Sequence, residues 1–164
     1  MTTPHRKLHL FRALAAMRED GARPQGLRTL ARDDTEALGR LFHAAYAGTV
    51  DDEGETEEEA IAVVRATFAG DFGVFVDDAS MVVERDGQLV CAALVTVWNG
   101  KPLLAFAVTA PEWKGRGLSR QCVAAAMQAL AAAGQRELHL FVTEGNLPAL
   151  AVYRRLGFEA AGAD

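Results

Sequence analysis

The residues Lys114-Gly-Arg-Gly-Leu-Ser119 place two glycines two positions apart, with Lys114, Arg116 and Arg120 around them, just ahead of an alanine-rich stretch that runs to Ala133. A strand-like segment, Leu103 to Val108, precedes them. A glycine loop that leads from a strand into a helix leaves backbone N–H groups without partners at the positively polarised end of that helix. Without a Cβ at Gly115 or Gly117, a phosphate can approach those amides closely. The chemistry that fits is diphosphate binding. A glycine turn that merely joins strand to helix is the competing structural reading. Other phosphate loops fit less well. A nucleotide-triphosphate loop places Lys-Ser or Lys-Thr after its last glycine, whereas Leu-Ser follows Gly117 here. A dinucleotide fingerprint needs a third glycine and opens a parallel sheet, whereas this loop comes late in the chain.

A second group of residues lies downstream. Asn146 stands where a helix begins, Pro148 falls in its first turn, and Gly157 ends it. Tyr153 lies inside that helix. Between the two groups, Gln135 to Thr143 is an apolar strand, so the order is strand, glycine loop, helix, strand, helix. That is a βαβ crossover followed by a further helix.

The upstream elements must position this crossover. Leu27 to Ala31 suits a first strand. A helix follows from about Thr35, with Leu38, Leu41, Phe42 and Ala45 on one face. Asp33 and Glu36 resemble a capping box at its start. A second helix begins after Thr56-Glu-Glu-Glu59, also a capping box, and Gly70 ends it. From Ser80 the period becomes two. Met81 to Glu84 and Leu89 to Trp98 read as strands joined at Asp86-Gly87, and Asn99-Gly100 turns the chain into Leu103 to Val108. Leu10, Phe11, Leu14 and Met17 lie near helical spacing, which predicts a short helix within residues 5–19 and a linker over 20–26. The expected organisation is an N-terminal helical leader and linker, 1–26, followed by one domain, 27–164. Its fold class is α/β, a mixed and mostly antiparallel central sheet flanked by helices.

Composition narrows the function. The chain has 164 residues, enough for one domain with a sizeable core. Its net charge is −5 and its cations are scattered, which argues against a nucleic-acid-binding face. Cys91 and Cys122 sit in apolar segments and read as buried thiols. No Cys/His cluster has metal-ligand spacing, so no metal is expected. No apolar run approaches the ~20 residues of a membrane span. Arg12 and Arg18 interrupt the apolar residues of the N-terminus, so the expected compartment is the cytoplasm.

Two segments carry a family resemblance. Val108-Thr-Ala-Pro111-Glu-Trp-Lys114-Gly-Arg-Gly117-Leu-Ser119 resembles the pyrophosphate loop of the GCN5-related N-acetyltransferase (GNAT) family, and Asn146-x-x-Ala149-x-x-x-Tyr153-x-x-x-Gly157-Phe158 resembles its second signature. The upstream order of elements agrees, so the resemblance extends over 27–159. Lys114 stands where Arg or Gln is usual, which keeps the charge and loses the planar fork. Ser119 stands where Gly or Ala is usual. The resemblance implies the GNAT fold and transfer of an acetyl group from acetyl-CoA to a primary amine, of a small molecule or a protein, within a ternary complex. It also implies that Phe106, Ala107 and Val108 hold the pantetheine arm like an added strand, with the Val108 N–H near the thioester oxygen. Lys114, Gly115, Arg116, Gly117, Leu118 and Ser119 wrap the diphosphate. On the same resemblance Asn146 would hydrogen-bond the cofactor, and Tyr153 would protonate the departing thiolate as general acid.

The base is less defined. Some members carry an acid on the strand after the loop helix, at the position of Phe141, and that acid is absent here. Glu144 and Glu84 are the replacements, and bound water is the other option. The missing acid leaves a non-catalytic acyl-CoA-binding sensor as the alternative function. His139 alternates with Leu138 and Leu140, so it faces the opposite side of its strand and reads as structural. The run Asp51 to Glu59 joins the two first helices, a connection that frames the acceptor pocket in the family, where an acidic rim would attract an amine or polyamine. Glu57, Glu58 and Glu59 suit a helix start, Asp51, Asp52, Glu53 and Glu55 are left without that explanation, and the preferred reading is a solvated, structural run. Tyr46, Phe72 and Trp98 could line that pocket, although such aromatics are more often core. After Phe158 little chain remains for a final strand, which leaves the sheet edge open or covered by a partner in a homodimer.

Overall fold

The computed structural model describes residues 5–15, 17 and 23–162. One sheet organises them, in the order β2-β4-β5-β6-β7-β1-β8, with the two-residue β3 (Val74–Phe75) paired to β5. Its strands are β1 (Lys7–Ala13), β2 (Leu27–Thr29), β4 (Met81–Arg85), β5 (Gln88–Trp98), β6 (Lys101–Thr109), β7 (Glu137–Thr143) and β8 (Glu159–Ala160). All pairings are antiparallel except β6 with β7. Among the described residues, four helices flank it: α1 (Thr35–Tyr46), α2 (Glu57–Ala69), α3 (Leu118–Ala132) and α4 (Leu147–Arg155). No helix among the described residues is long and apolar enough to cross a membrane.

Central strand β5 explains the layering. Residues Leu89 to Thr96 are all buried, so both faces of the strand are covered. Cys91 meets Cys122 of α3 on one side. The next strand's Phe106, paired with Leu94, packs its ring 5.0 Å from that of Phe42 of α1 on the other.

Several local expectations hold. The Thr56 side chain accepts from the Glu59 amide while Glu59 accepts from the Thr56 amide, a reciprocal cap at the start of α2. Gly70 ends that helix in the left-handed region. Asp86 and Gly87 both take positive φ, 52° and 76°, as do Asn99 and Gly100, 51° and 77°, which matches the twist of the strands they join.

Three expectations do not hold. The N-terminal helix is strand β1, paired along its full length with β7 from Lys7↔Thr143 to Ala13↔Glu137. The alternation Lys7-Leu-His9-Leu10 carries that strand's period of two, and Leu10 and Leu14 are buried. Asp20, Gly21 and Ala22 of the expected linker lie outside the described residues. Second, the edge of β7 away from β6 is not open, because β1 covers it and β8 pairs outside β1. Third, Asp33 and Glu36 form no capping box. The N-cap of α1 is Asp34 without a side-chain cap, since its carboxylate accepts two bonds from Arg28 at 2.8 Å each and one from the Ala31 amide at 2.8 Å.

Candidate functional site

The glycine loop begins where β6 ends. A 3₁₀ turn, Pro111–Trp113, leads to Lys114, and α3 starts at Leu118 with Gly117 as its N-cap. Gly115 and Gly117 have φ of 78° and 79°, a region where any side chain is strained. A Cβ on Gly115 would meet nothing within 4 Å, and one on Gly117 only the Arg120 Nη2 at 3.8 Å, so the loop's inner surface is open. Among the described residues, the amides from Gly115 to Arg120 donate to no protein acceptor. No acidic residue sits in the first turn of α3. These amides form an uncompensated donor set at a helix N-terminus, suited to an anion. Arg116 stacks over Trp113 at 4.6 Å. Lys114 turns elsewhere: its Nζ donates to the Ala45 carbonyl at 3.4 Å, at the carboxyl end of α1.

Beside the loop, the sheet opens. Strands β6 and β7 pair only at Leu103↔His139 and Leu104↔Leu140. Beyond those pairs both strands continue, β6 to Thr109 and β7 to Thr143, without bonding each other. A bulge between Leu94 and Val95 places an extra residue in β6, at Ala105, where the separation begins. Strand alternation then assigns the free backbone groups. The Ala110 amide donates to the Val90 carbonyl at 2.8 Å, so Val108, two residues earlier and opposite Ala92, also turns its amide toward β5. The amide facing the gap belongs to Ala107. This corrects the expectation for Val108, whose N–H belongs to the β5 ladder.

A cleft of about 1070 Å³ occupies the gap. Phe106, Ala107, Asn146 and Tyr153 line it, as do Tyr46 and Phe72, whereas Trp98 lies outside, half exposed near the end of β5. Val108 and residues 114–119 are not among the lining residues, so the loop stands beside the cleft rather than in its wall. The two replacement bases also fall outside it. Glu84 accepts from the Arg28 Nε at 3.3 Å, and Glu144 is exposed, 4.0 Å from the Arg6 Nη1. His139 bonds His9, Nδ1 to Nε2, at 2.9 Å, and faces away from the buried Leu138 and Leu140.

Tyr153 is 8% exposed and sits on α4 against Phe158, ring edge to face at 5.7 Å. Burial, then the negative charge of Asp51, pushes its hydroxyl from 10 up to about 12, so it stays protonated at neutral pH. Burial first, then Tyr153, Asp51 and Glu55, raises the hydroxyl of Tyr46 in the same direction. Asn146 does more than expected. Its Oδ1 accepts from the Ala149 amide at 3.3 Å, capping α4, and its Nδ2 donates to Asp51 at 3.2 Å.

Asp51 is the residue sequence reasoning placed wrongly. It lines the cleft and accepts from the Thr143 hydroxyl at 2.6 Å, where β7 ends. Other members of the acidic run make local bonds. Asp52 accepts from the Gly48 and Gly54 amides at 2.8 Å each, and Glu59 caps α2. The available signal was that no helix end accounted for Asp51.

Comparison with known proteins follows from this geometry. The model of the acetyltransferase (GNAT) family matches residues 35–158. Mycothiol acetyltransferase of Clavibacter sepedonicus is 36% identical over 90 residues, 54% of this chain and 30% of that protein. Streptothricin acetyltransferase of Streptomyces lavendulae is 34% identical over 86 residues, 51% of this chain and 46% of that one. The matched region thus spans less than half the length of either relative. Among solved structures, a GCN5-related N-acetyltransferase from Sphaerobacter thermophilus superposes with a TM-score of 0.73 at 18% identity, over 97% of this chain and 50% of that one.

Proposed function

Since the chain belongs to the GNAT acetyltransferase family, we propose that it transfers the acetyl group of acetyl-CoA to a primary amine of a small molecule. The observation that carries the reading is the divergence of β6 from β7, with the unpartnered amides of residues 115–120 beside it.

The residues fit the cofactor. The amides of Gly115 to Ser119 hold its diphosphate, with Arg116 and Arg120 supplying charge. The open space over both glycines accommodates that approach. Ala107 offers its gap-facing N–H and C=O to the pantetheine amides as a neighbouring strand would, and Phe106 forms the wall behind. Acetyl-CoA, when bound, supplies the acetyl group as a thioester. Tyr153, held protonated by burial, would donate its proton to the sulfur as the amine nitrogen bonds the acetyl carbon and the C–S bond breaks, and the proton that the nitrogen gives up would pass to water. The names of the relatives, mycothiol acetyltransferase and streptothricin acetyltransferase, support a small-molecule acceptor.

Thiol release from acetyl-CoA with a panel of primary amines tests this. Amine-dependent release is the expected result. Binding of acetyl-CoA with no turnover on any amine would replace the enzyme with a non-catalytic acyl-CoA sensor.

A further inference from the structure

The connection between α1 and α2 carries four carboxylates that face the cleft, and three of them stay within that connection. Asp52 binds the Gly48 and Gly54 amides, and Glu55 accepts from the Glu53 amide at 3.2 Å. Glu53 is exposed. Asp51 alone reaches across the molecule. Its Oδ1 accepts from Thr143 at the end of β7, and its Oδ2 accepts from Asn146 at the start of α4. The ammonium of Lys7 on β1 lies 3.7 Å from Oδ1 while it donates to the Thr143 hydroxyl at 2.7 Å. Two hydrogen-bond donors, from the end of β7 and the start of α4, and an ion pair with β1 therefore fix one carboxylate, with its side chain 22% exposed, in the wall of the cleft.

Two further features make this carboxylate more than a loop anchor. Its second donor, Asn146, caps α4, the helix that carries Tyr153, and both Asp51 and Tyr153 line the cleft, so the carboxylate lies on the side where the proposed proton donor sits. Aromatic rings stand around the same space. Phe72 meets Phe106 edge to face at 5.5 Å, and Phe141, half exposed on β7, also lines it. A carboxylate beside ring faces is the surrounding that attracts an organic ammonium, by charge and by cation–π attraction, while the rings cover its carbon skeleton. Lys7 also lines the cleft, but its side chain is 58% exposed against 22% for Asp51, so water screens its charge more than that of the carboxylate.

We infer that Asp51 is the residue that recognises the acceptor, docking it as an ammonium ion, so that the acceptors of this chain are cationic alkylamines with an apolar flank. The inference rests on the acetyl-transfer reading above and assigns that site its substrate class. Asp51 acts here as a specificity-determining residue; the departing sulfur is served by Tyr153.

The test compares two acceptors with wild-type protein, Asp51→Asn and Thr143→Val at pH 7.5. Benzylamine is an ammonium at that pH, and aniline is neutral. Asp51→Asn should lower kcat/KM for benzylamine about 10- to 100-fold, mainly through KM, and lower that for aniline less than about 3-fold. Thr143→Val, which releases one oxygen of the carboxylate, should shift the same ratio in the same direction by a smaller factor, and it carries the test if Asp51→Asn does not fold. Equal losses on both acceptors would overturn the inference, since misplacement of the α1–α2 connection would cause that. So would an unchanged ratio, or a loss of selectivity that follows Glu55→Gln instead. Wild-type protein that binds acetyl-CoA and acetylates no amine of the panel, these two included, removes the acetyl-transfer reading and this inference together. Wild-type turnover with an unshifted ratio removes this inference alone.

Discussion

Replacing Tyr153 by phenylalanine separates two consequences of one buried hydroxyl. The first is chemical. If Tyr153 donates the proton to the leaving sulfur, Tyr153→Phe should lower kcat by at least about 100-fold, the usual contribution of a general acid. Acetyl-CoA affinity should change less than about 2-fold, because only the proton donor is lost. The second is thermodynamic. The hydroxyl titrates near 12 in the folded protein against an ordinary 10. A raised value means that the folded state keeps the proton longer than the unfolded state. Stability from this group is therefore complete below pH 10 and is lost as pH rises through 12. Two units correspond to about 3 kcal/mol in full, of which about 2 kcal/mol is lost by pH 11.5. Urea unfolding at pH 8 and pH 11.5 measures it. The wild-type protein should lose about 2 kcal/mol more over that interval than Tyr153→Phe does. Thiol release measures the first consequence at pH 8. Undiminished turnover would refute the proton-donor role. Identical alkaline losses in both proteins would refute the buried environment from which that role is argued.

Other consequences are tested more briefly. Gly117→Val forces a β-branched residue to a φ of 79° and fills the open face of the loop; acetyl-CoA binding by calorimetry should fall at least about 100-fold, and unchanged affinity would mean that the phosphates bind elsewhere. Thr56→Ala removes one half of the reciprocal cap on α2, so a loss of about 1 kcal/mol and a fall of roughly 2–4 °C in Tm are expected by thermal melting. The Asp34 carboxyl is held below the usual carboxylate range, first by the Arg28 hydrogen bonds. Its stability is present above the ordinary carboxylate pKa and disappears as pH falls through the depressed value. Asp34→Asn should therefore be less stable at pH 7 by about 1–2 kcal/mol and show a flatter acid limb below pH 4; parallel limbs would contradict that pairing.

What the sequence disclosed depended on how far apart the interacting residues lie. Thr56 with Glu59, Asp86-Gly87, Asn99-Gly100 and the loop from Lys114 to Ser119 are local devices, each complete within a few residues. All form in the structure, although Lys114 spends its charge on α1. The N-terminal strand was misread because its identity depends on a partner more than 120 residues away. Leu10, Phe11 and Leu14 fit a helix nearly as well as Lys7, Leu8, His9 and Leu10 fit a strand, and the edge of β7 decides between them. The α1 cap was misread for a related reason. Asp34 could have served a helix, but Arg28 and the Ala31 amide take its oxygens.

The site shows the same dependence more sharply. Sequence motifs named the loop, Asn146 and Tyr153, and the structure sets Asn146 and Tyr153 with Phe106 and Ala107 around one cleft. Which backbone amide faces that cleft could not be read from a motif, because one extra residue at the bulge near Ala105 decides the parity of the strand beyond it. The cleft itself follows from topology. Strands β6 and β7 run parallel and are joined by α3, so both present their carboxyl ends on the same side of the sheet, and there they part. Thr143 marks the end of β7 and Asn146 the start of α4 just beyond it. A carboxylate that reaches both must come from a distant segment, and the α1–α2 connection supplies Asp51, 92 and 95 positions earlier. Its neighbours Asp52 and Glu59 are consumed by backbone amides of their own segment, which fold the connection so that Asp51 points inward. An acidic run that looks like simple helix-end chemistry thus divides into carboxylates that shape the loop and one that the loop delivers to the cleft.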